Sequence, residues 1–348
     1  VEADNAGELA RLVTGEPYDH HLVGMRNEHL SGESSISDPV AHPCDSRGHV
    51  QFTAVVGDFF VVSQFDPQVT ERLVGLLALR DADHVFVGHG ESLGELADRF
   101  YAKPSADVSV VGITGTNGKT TCAWLFANAL QALGQRCGLM GTLGYGFSDD
   151  LQQQDLTTPD VVAVHRRLDE LRSAGASAVV MEVSSHALDQ GRVDGVRFAA
   201  AAFTNLSRDH LDYHGDLESY GAAKAALFLS ASPGAAIINI DDDHGAALFA
   251  RLPRSVQRIS VSAHGHRAED GSGYVYATRI ASHDRGLRIE FESGWGAATL
   301  ESRLLGAFNA ENLLIVAALL LQGLVIDAPA AGIPVLEVLA IAHHGGIA

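Results

Sequence analysis

Apolar residues along the centre of the chain follow two spacings in turn, and this alternation predicts an α/β fold. Short runs rich in β-branched residues predict buried strands, and stretches with apolar residues at helical spacing predict helices. The strands are predicted at 108–114, 137–141, 176–184, 198–206 and 235–241, and the helices at 119–133, 159–174, 217–230 and 242–251. Because strand and helix alternate, we expect a mostly parallel sheet with helices on both faces.

Beyond Arg254 the apolar runs become shorter and follow one another without helical stretches between them. They predict antiparallel strands over 256–261, 273–280, 287–291 and 297–304. Asp284-Arg285-Gly286 lies between two of these runs and is typical of a hairpin turn. The apolar spacing then predicts one helix over 309–323 and a second over 334–341.

The first hundred residues have a weaker pattern. It predicts strands at 50–56, 59–62 and 83–88 and helices at 69–79 and 92–101. Lys103-Pro104 follows the last of these helices, and a proline there is typical of a boundary. We therefore predict a smaller N-terminal α/β domain at 1–103. A central domain follows at 104–325, with a P-loop-type sheet and an antiparallel extension, and a short segment occupies 326–348.

The composition narrows the class of protein. The chain has 348 residues, 46% of them hydrophobic, and a formal net charge of −19. Such an acidic chain argues against a nucleic-acid partner, which needs a basic surface. Cys44, Cys122 and Cys137 have no metal-ligand spacing and suit a reducing compartment. With no signal segment and no apolar run long enough to cross a bilayer, we expect a cytoplasmic enzyme without membrane insertion.

The stretch from Val108 to Leu133 carries the clearest chemistry. A predicted strand leads through a turn with Gly115 and Gly118 into a predicted helix, which is the geometry of a phosphate cradle. Lys119 would reach the β- and γ-phosphates of a nucleotide, and the Thr120 hydroxyl would ligate Mg²⁺. The turn reads G-x-x-G-K-T, tighter than the general P-loop pattern. The alternative is a glycine-rich turn with a surface lysine.

Ionisable residues follow two neighbouring strands where these strands end. Glu182 lies near the end of the strand predicted at 176–184, where a carboxylate could hold Mg²⁺ or serve the next helix as an N-terminal partner. His210 lies in the segment that follows 198–206 and could ligate a metal, with Asp209 or Asp212 orienting a histidine. The alternative is a solvated polar loop. Strand ends in α/β sheets are where ligands bind.

Two further positions have an ordinary structural explanation. Lys224 is a lone lysine in a helix of small residues and could be a surface lysine, although its neighbours would allow another group to approach. Thr158 could cap the helix that starts at Pro159. The hydroxyls at 157 and 158 could also bind a substrate phosphate or carboxylate.

Taken together, these segments resemble one family. The motifs GITGTNGKTT (112–121), TTP (157–159), EVSSHALDQGR (182–192), NLSRDHLDYHG (205–215), YGAAK (220–224) and LGAFNAENLL (305–314) are similar to those of the Mur ligases, best to the MurE type. The resemblance implies an ATP- and Mg²⁺-dependent amide ligase of peptidoglycan synthesis. In this family the carboxylate of UDP-MurNAc-L-Ala-D-Glu attacks the γ-phosphate, and a diamino acid then attacks the acyl phosphate.

The resemblance also implies roles for individual residues. The implied ATP-binding residues are Gly115, Thr116, Asn117, Gly118, Lys119, Thr120 and Thr121, with Asn309 and Asn312 on the adenine side. Thr120, Glu182, His210 and a carbamylated Lys224 would hold Mg²⁺, and Lys119, Lys224, His210 and Glu182 would be catalytic. Ser46, Thr157, Thr158, Ser184, Gln190 and Arg192 match positions that hold the UDP-sugar-peptide.

The sequence departs from the family pattern in three places. Leu156 stands where some relatives have asparagine, and a G-x-x-x-D-G-H-like segment is missing after Val62. The third domain, which selects the amino acid in this family, has no counterpart after Asn312. The chain is then either a truncated form or a degenerate relative, and in either case we expect it to bind nucleotide but to ligate weakly or not at all alone. We also expect a monomer. The other hypotheses are a folylpolyglutamate synthase-like ligase and a non-catalytic nucleotide-binding relative.

Overall fold

The computed structural model describes residues 52–56, 59–63, 85–88 and 93–323, except residue 269. The chain divides into two compact units, 1–92 and 93–348. In the first unit, β1 (Phe52–Val56) pairs antiparallel with β2 (Phe59–Ser63), which pairs parallel with β3 (Val85–Gly88). These are the strands predicted at 50–56, 59–62 and 83–88. The helices predicted at 69–79 and 334–341 lie outside the described residues, and the predicted domain limits stay predictions.

The second unit is built on one sheet of eleven strands. Its strands are β4 (Ser109–Thr114), β5 (Cys137–Gly141), β6 (Gly144–Phe147), β7 (Asp150–Gln152), β8 (Ala178–Glu182), β9 (Phe198–Phe203), β10 (Ala235–Asn239), β11 (Gln257–Ser262), β12 (Gly273–His283), β13 (Gly286–Ser293) and β14 (Gly296–Ser302). The order across the sheet is β14-β13-β12-β11-β10-β9-β4-β8-β5-β6-β7. All pairs from β12 to β5 are parallel, and the pairs outside them are antiparallel. The predicted α/β class, with its antiparallel extension, is confirmed.

Helices cover both faces of this sheet. They are α1 (Leu93–Phe100), α2 (Pro104–Asp107), α3 (Lys119–Ala132), α4 (Val161–Ser173), α5 (Ser185–Asp189), α6 (Leu211–His214), α7 (Leu217–Leu229), α8 (Asp243–Arg251) and α9 (Phe308–Leu321). Successive residues of β4 serve opposite faces, since Val111 packs with α3 and α9 while Val110 packs with α4 and α7. A parallel strand buried on both sides must be apolar throughout, which is why the predicted runs were continuous. None of the described helices has the length and apolarity that a bilayer crossing requires.

Two details of the prediction were wrong. The strand predicted at 256–261 as antiparallel is β11, and it pairs parallel with both β10 and β12. It follows the crossover helix α8, so the chain re-enters the sheet in the direction of β10, as βαβ units require. The sequence analysis also missed β6 and β7, whose residues are rich in glycine and polar side chains and only partly buried.

Candidate active site

The loop between β4 and α3 needs glycine at two positions. Gly115 has φ of +146° and Gly118 has φ of +87°. A Cβ on Gly115 would overlap Thr204 Oγ1, and one on Gly118 would overlap Asn312 Oδ1. The loop is therefore packed closely against the end of β9 on one side and against α9 on the other.

The segment after β9 holds the loop in place. The amides of Thr116 and Asn117 donate to Asn205 O at 2.8 Å and to Asn205 Oδ1 at 3.0 Å. Thr204 Oγ1 donates to Asn117 O at 2.6 Å. The amides of Thr116 and Asn117, which the glycine-rich turn suggested as phosphate donors, are thus already bonded to Asn205. The donors that remain for an anion are those at the start of α3, where Thr120 and Thr121 lie in the first turn.

The start of α3 differs from the starts of four other helices of this unit, whereas α2 and α9 also have no side-chain cap. Gly118 gives α3 no side-chain cap. By contrast, α4, α5, α7 and α8 are capped by the side chains of Asp160, Ser184, Asp216 and Asp242. The uncapped amides and the positive end of the helix dipole suit a phosphate group.

Two lysines converge on this loop. Lys119 Nζ donates to Gly115 O at 2.8 Å and to Thr116 O at 3.0 Å. Lys224 Nζ donates to the same Gly115 O at 2.9 Å and lies 4.4 Å from the centre of the Tyr220 ring. Lys224 is 1% exposed, so it is not a surface lysine. Its burial, and then the charge of Lys119, lower the pKa of Lys224 to about 7. Burial also lowers the pKa of Lys119, against the opposing effect of Glu182.

Glu182 faces the same helix start from the end of β8. Its Oε2 accepts from Thr120 Oγ1 at 2.8 Å and from Thr142 Oγ1 at 3.2 Å, and its Oε1 accepts from the Thr142 amide at 2.8 Å. The residue is 1% exposed. Among the described residues no cationic side chain comes within ion-pair distance of this carboxylate. Buried charges are usually paired or bound to a metal, and a carboxylate next to a hydroxyl is a donor set that suits Mg²⁺.

The other predicted metal ligands do not form a compact cluster. In the part of the chain that the structure describes, no three His, Cys, Asp or Glu side chains converge where a metal ion could bind. His210 has a left-handed φ of 52° and a half-exposed ring that lies 3.6 Å from Asp209 Oδ2. Its ring centre is 5.0 Å from that of His186. The metal set of Thr120, Glu182, His210 and Lys224 therefore remains a prediction.

The predicted substrate residues lie together around the ends of β8 and α5. Thr158 Oγ1 donates to Glu182 O at 2.8 Å and accepts from the Ser184 amide at 3.1 Å. Arg192 donates to Thr158 O at 2.9 Å and through Nε to Gln190 Oε1 at 2.8 Å. Thr157 Oγ1 lies 3.1 Å from Thr142 Oγ1.

Two predictions in this region need comment. Thr158 was expected to cap the following helix, but the cap of α4 is Asp160, whose Oδ1 accepts from the Ala163 amide at 2.9 Å. The Thr158 hydroxyl is instead committed to the end of β8, because residue 158 is buried there. Ser46 lies outside the described residues.

The two asparagines predicted on the adenine side belong to the first turns of α9. Asn312 Nδ2 donates to Asn309 Oδ1 at 3.1 Å. Asn309 Nδ2 donates to Leu305 O at 2.8 Å. Because Asn312 touches Gly118, the start of α9 adjoins the phosphate loop.

Three residues of this site were not found from the sequence. Thr142 donates to Glu182 through its amide and its hydroxyl, and Thr204 holds the phosphate loop through Asn117. Tyr220 packs against Lys224, and the Tyr220 hydroxyl lies 3.3 Å from Thr116 Oγ1. Thr142 directly follows β5, so the rule that ligands collect at strand ends could have identified it. Tyr220 begins the YGAAK motif, but that motif gave the tyrosine no role of its own.

Comparison with known proteins gives a consistent picture. Residues 113–320 match the Mur ligase middle domain. A UDP-N-acetylmuramoyl-L-alanyl-D-glutamate--2,6-diaminopimelate ligase from Coxiella burnetii is 42% identical over 75% of this chain and 52% of its own length. The ligase of the same name from Pseudomonas putida is 49% identical over 72% of this chain and 51% of its own length. The chain therefore spans about half the length of the curated relatives that it matches.

Solved structures agree with the sequence matches. A structure of a UDP-N-acetylmuramoyl-L-alanyl-D-glutamate--2,6-diaminopimelate ligase superposes with a TM-score of 0.62 at 28% identity, covering 82% of this chain and 61% of the other. An FPGS-AMPPCP-folate complex has a TM-score of 0.50 at 18% identity, covering 73% of this chain and 69% of the other. At that identity the second likeness shows a shared fold only.

Proposed function

Because the chain belongs to the Mur ligase family, we propose that it carries the nucleotide-binding and carboxylate-activating centre of a MurE-type ligase. The reaction joins a diamino acid to UDP-MurNAc-L-Ala-D-Glu with hydrolysis of ATP. The diamino acid proposed here is 2,6-diaminopimelate, after the names of the relatives. We place this activity in the cytoplasm, in keeping with the few cysteines, and propose that the chain acts as a monomer.

One observation carries the proposal. The hydroxyl of Thr120, the second residue of α3, lies 2.8 Å from the buried carboxylate of Glu182, and Lys119 lies beside them. An uncapped helix start, an ammonium group and an uncompensated carboxylate thus share one strand-end site. The amides and Lys119 suit the phosphates of ATP, and the carboxylate suits the cation that accompanies them.

In this proposal each residue has a defined task. Thr120 and Glu182 would hold Mg²⁺, which would supply positive charge against the phosphates. The α3 amides and Lys119 hold the β- and γ-phosphates so that a substrate carboxylate can attack the γ-phosphorus in line. The new C–O–P bond forms as ADP leaves, and the amine of the amino acid then displaces phosphate to give the amide. Thr158, Ser184 and Arg192 are placed to hold the acceptor substrate next to Glu182.

Lys224 would serve this site as a carbamate. Its pKa of about 7 leaves much of the amine neutral near physiological pH, and the neutral amine is the form that adds to CO2. The new N–C bond and the loss of a proton turn a cation into an anion. Lys119 and Lys224 both donate to the Gly115 carbonyl, and a carbamate at Lys224 would attract the Lys119 ammonium instead of repelling it as a protonated lysine does.

Calorimetry with Mg²⁺ and ATP tests the proposal on the full chain. The chain's lysines are Lys103, Lys119 and Lys224, so the exposed Lys103→Ala variant is a matched control for Lys119→Ala. We expect saturable binding by the wild type and by Lys103→Ala, and binding at least about tenfold weaker in Lys119→Ala, since a charge-assisted contact contributes about 1.5–3 kcal/mol. Equal binding by all three proteins would reject the proposal.

A second measurement addresses catalysis. Phosphate release from ATP should depend on both UDP-MurNAc-L-Ala-D-Glu and diaminopimelate, because the substrate carboxylate takes the phosphoryl group and the amine then displaces it as phosphate. Turnover without UDP-MurNAc-L-Ala-D-Glu that equals turnover with it would reject the proposed acceptor.

A further inference from the structure

A second cluster of polar side chains lies at the ends of β10 and β11, outside the site described above. Asp241 is its centre, with a side chain that is 5% exposed. Its Oδ1 accepts from Ser262 Oγ at 2.6 Å and from His266 Nδ1 at 2.9 Å. Its Oδ2 accepts from the Ala263 amide at 2.6 Å and from His264 Nδ1 at 3.1 Å. One buried carboxylate thus orients two imidazole rings.

The contacts with Asp241 orient both rings through Nδ1. Burial by itself would raise the pKa of Asp241, but the hydrogen bonds from Ser262, Ala263 and His264 hold that pKa below its usual value. The carboxylate is therefore ionised and accepts a proton-bearing Nδ1 from each ring. A neutral ring with hydrogen on Nδ1 leaves Nε2 as a hydrogen-bond acceptor. Among the described residues nothing bonds to either Nε2, and the two side chains are 68% and 64% exposed.

A continuous path of hydrogen bonds joins this cluster to the phosphate loop. Thr204 bonds Asn117 of the loop through Oγ1, and its carbonyl accepts from Asn239 Nδ2 at 2.9 Å. Asn239 Nδ2 also donates to Glu311 of α9 at 2.8 Å, and Asn239 Oδ1 accepts from the Asp241 amide at 3.1 Å. The cluster and the start of α9 are therefore fixed relative to the cradle.

The cluster lies along the same carboxyl edge of the sheet as the phosphate loop. β10 is two strands away from β4 in the sheet, which is roughly 10 Å at the usual strand spacing. Nucleotides in open α/β sheets lie across the carboxyl ends of the strands. A triphosphate held at the start of α3 and extended towards α9 would bring its ribose and base to the end of β10.

Resting on the proposed function, we propose that His264 and His266 bind the nucleoside of ATP, accepting hydrogen bonds at Nε2 from ribose hydroxyls or from the amino group of the base. A purely structural role explains the rings less well. Ser262 Oγ already accepts the amides of residues 264 and 266, at 3.0 and 2.9 Å, and braces this loop without them.

The test uses a substitution that separates the two roles. In the double variant His264→Asn/His266→Asn, each amide can still donate to Asp241 but ends short of the Nε2 position. The variant His264→Gln/His266→Gln places an acceptor near that position. His283→Asn is the matched control, because it makes the same change at an exposed histidine away from the cluster. The cluster residue Ser262 pairs with Tyr276 of β12, and His283 lies seven residues further along that strand.

Calorimetry on the full chain with Mg²⁺ would compare ATP, 2′-deoxy-ATP, purine riboside triphosphate and inorganic tripolyphosphate. We expect the Asn double variant to bind ATP about threefold to tenfold more weakly per ring lost, as for one neutral hydrogen bond each, and tripolyphosphate as the wild type does. The Gln variant should recover part of the loss. The analogue whose binding is insensitive to the Asn substitutions identifies the ribose or the base as the donor.

Several results would overturn this inference. Wild-type affinity for ATP in the Asn variant would show that the rings only brace the loop. An equal loss for ATP and tripolyphosphate would show that the substitutions disturb the cradle. A wild-type protein that binds neither ligand would instead reject the proposed function on which the inference rests.

Discussion

The replacement Glu182→Gln should affect the free and the liganded protein differently. The side chain keeps its size but loses the charge that we assign to cation binding. In the free protein this carboxylate is buried, accepts three hydrogen bonds and lacks an ion-pair partner among the described residues. Its loss removes a desolvation cost of several kcal/mol.

The hydrogen bonds offset much of that gain. Bonds to a charged group contribute about 1.5–3 kcal/mol each, and bonds to a neutral one about 1 kcal/mol. The opposing changes are of similar size, so we expect the melting temperature of the free variant to stay within about 3 °C of the wild type. The stabilisation by bound ligand has no such opposing contribution. Mg²⁺ and ATP at 100 times their dissociation constant should stabilise the wild type by about 2.7 kcal/mol, or roughly 5–10 °C for a unit of this size.

Thermal denaturation with and without Mg²⁺ and ATP measures both effects. The expected result is a normal melting temperature for free Glu182→Gln and little or no shift on adding ligand. Glu170→Gln makes the same charge change near the end of α4, away from the strand ends that carry the site, and should shift like the wild type. A full ligand-induced shift in Glu182→Gln would refute the assignment of Glu182 to cation binding.

Three further substitutions test other parts of the structure. Relative to Lys224→Met, the wild type should gain stability between about pH 7 and pH 10: the folded lysine loses its proton near pH 7, while the unfolded lysine keeps it. Urea denaturation without added CO2 should show a slope of up to about 1.4 kcal/mol per pH unit, and a difference independent of pH would contradict the assignment. Gly115→Ala should abolish ATP binding and destabilise the protein by about 3 kcal/mol or more through strain and overlap. Residue 134 also has positive φ, but it has open space around it, so Gly134→Ala should lower the stability by only about 1 kcal/mol. An equal loss of stability in both alanine variants would show that the protein relieves the overlap between residue 115 and Thr204. Asp160→Ala should cost about 1 kcal/mol in chemical denaturation by removing the α4 cap and leave ATP binding unchanged, whereas no loss would place the cap elsewhere.

The sequence by itself determined the elements that local patterns encode. The run at 137–141 forms a strand over those residues, and the strand–glycine turn–helix at 108–133 forms as predicted. Strand and helix periods arise from neighbouring residues, and glycine at 115 and 118 reflects a local backbone conformation. The family was also readable, because its motifs are short and contiguous.

Only the tertiary structure decided which distant residues meet. The direction of β11 depends on the path of the chain through α8, which the apolar pattern of 256–261 does not encode. Asn205 takes two amides of the phosphate loop, and Asp160 rather than Thr158 caps α4, because burial commits the Thr158 hydroxyl to β8. The pairing of Asp241 with two histidines likewise depends on strand order. Such contacts join residues far apart in the chain, and their energies arise only once the sheet has brought the strand ends together.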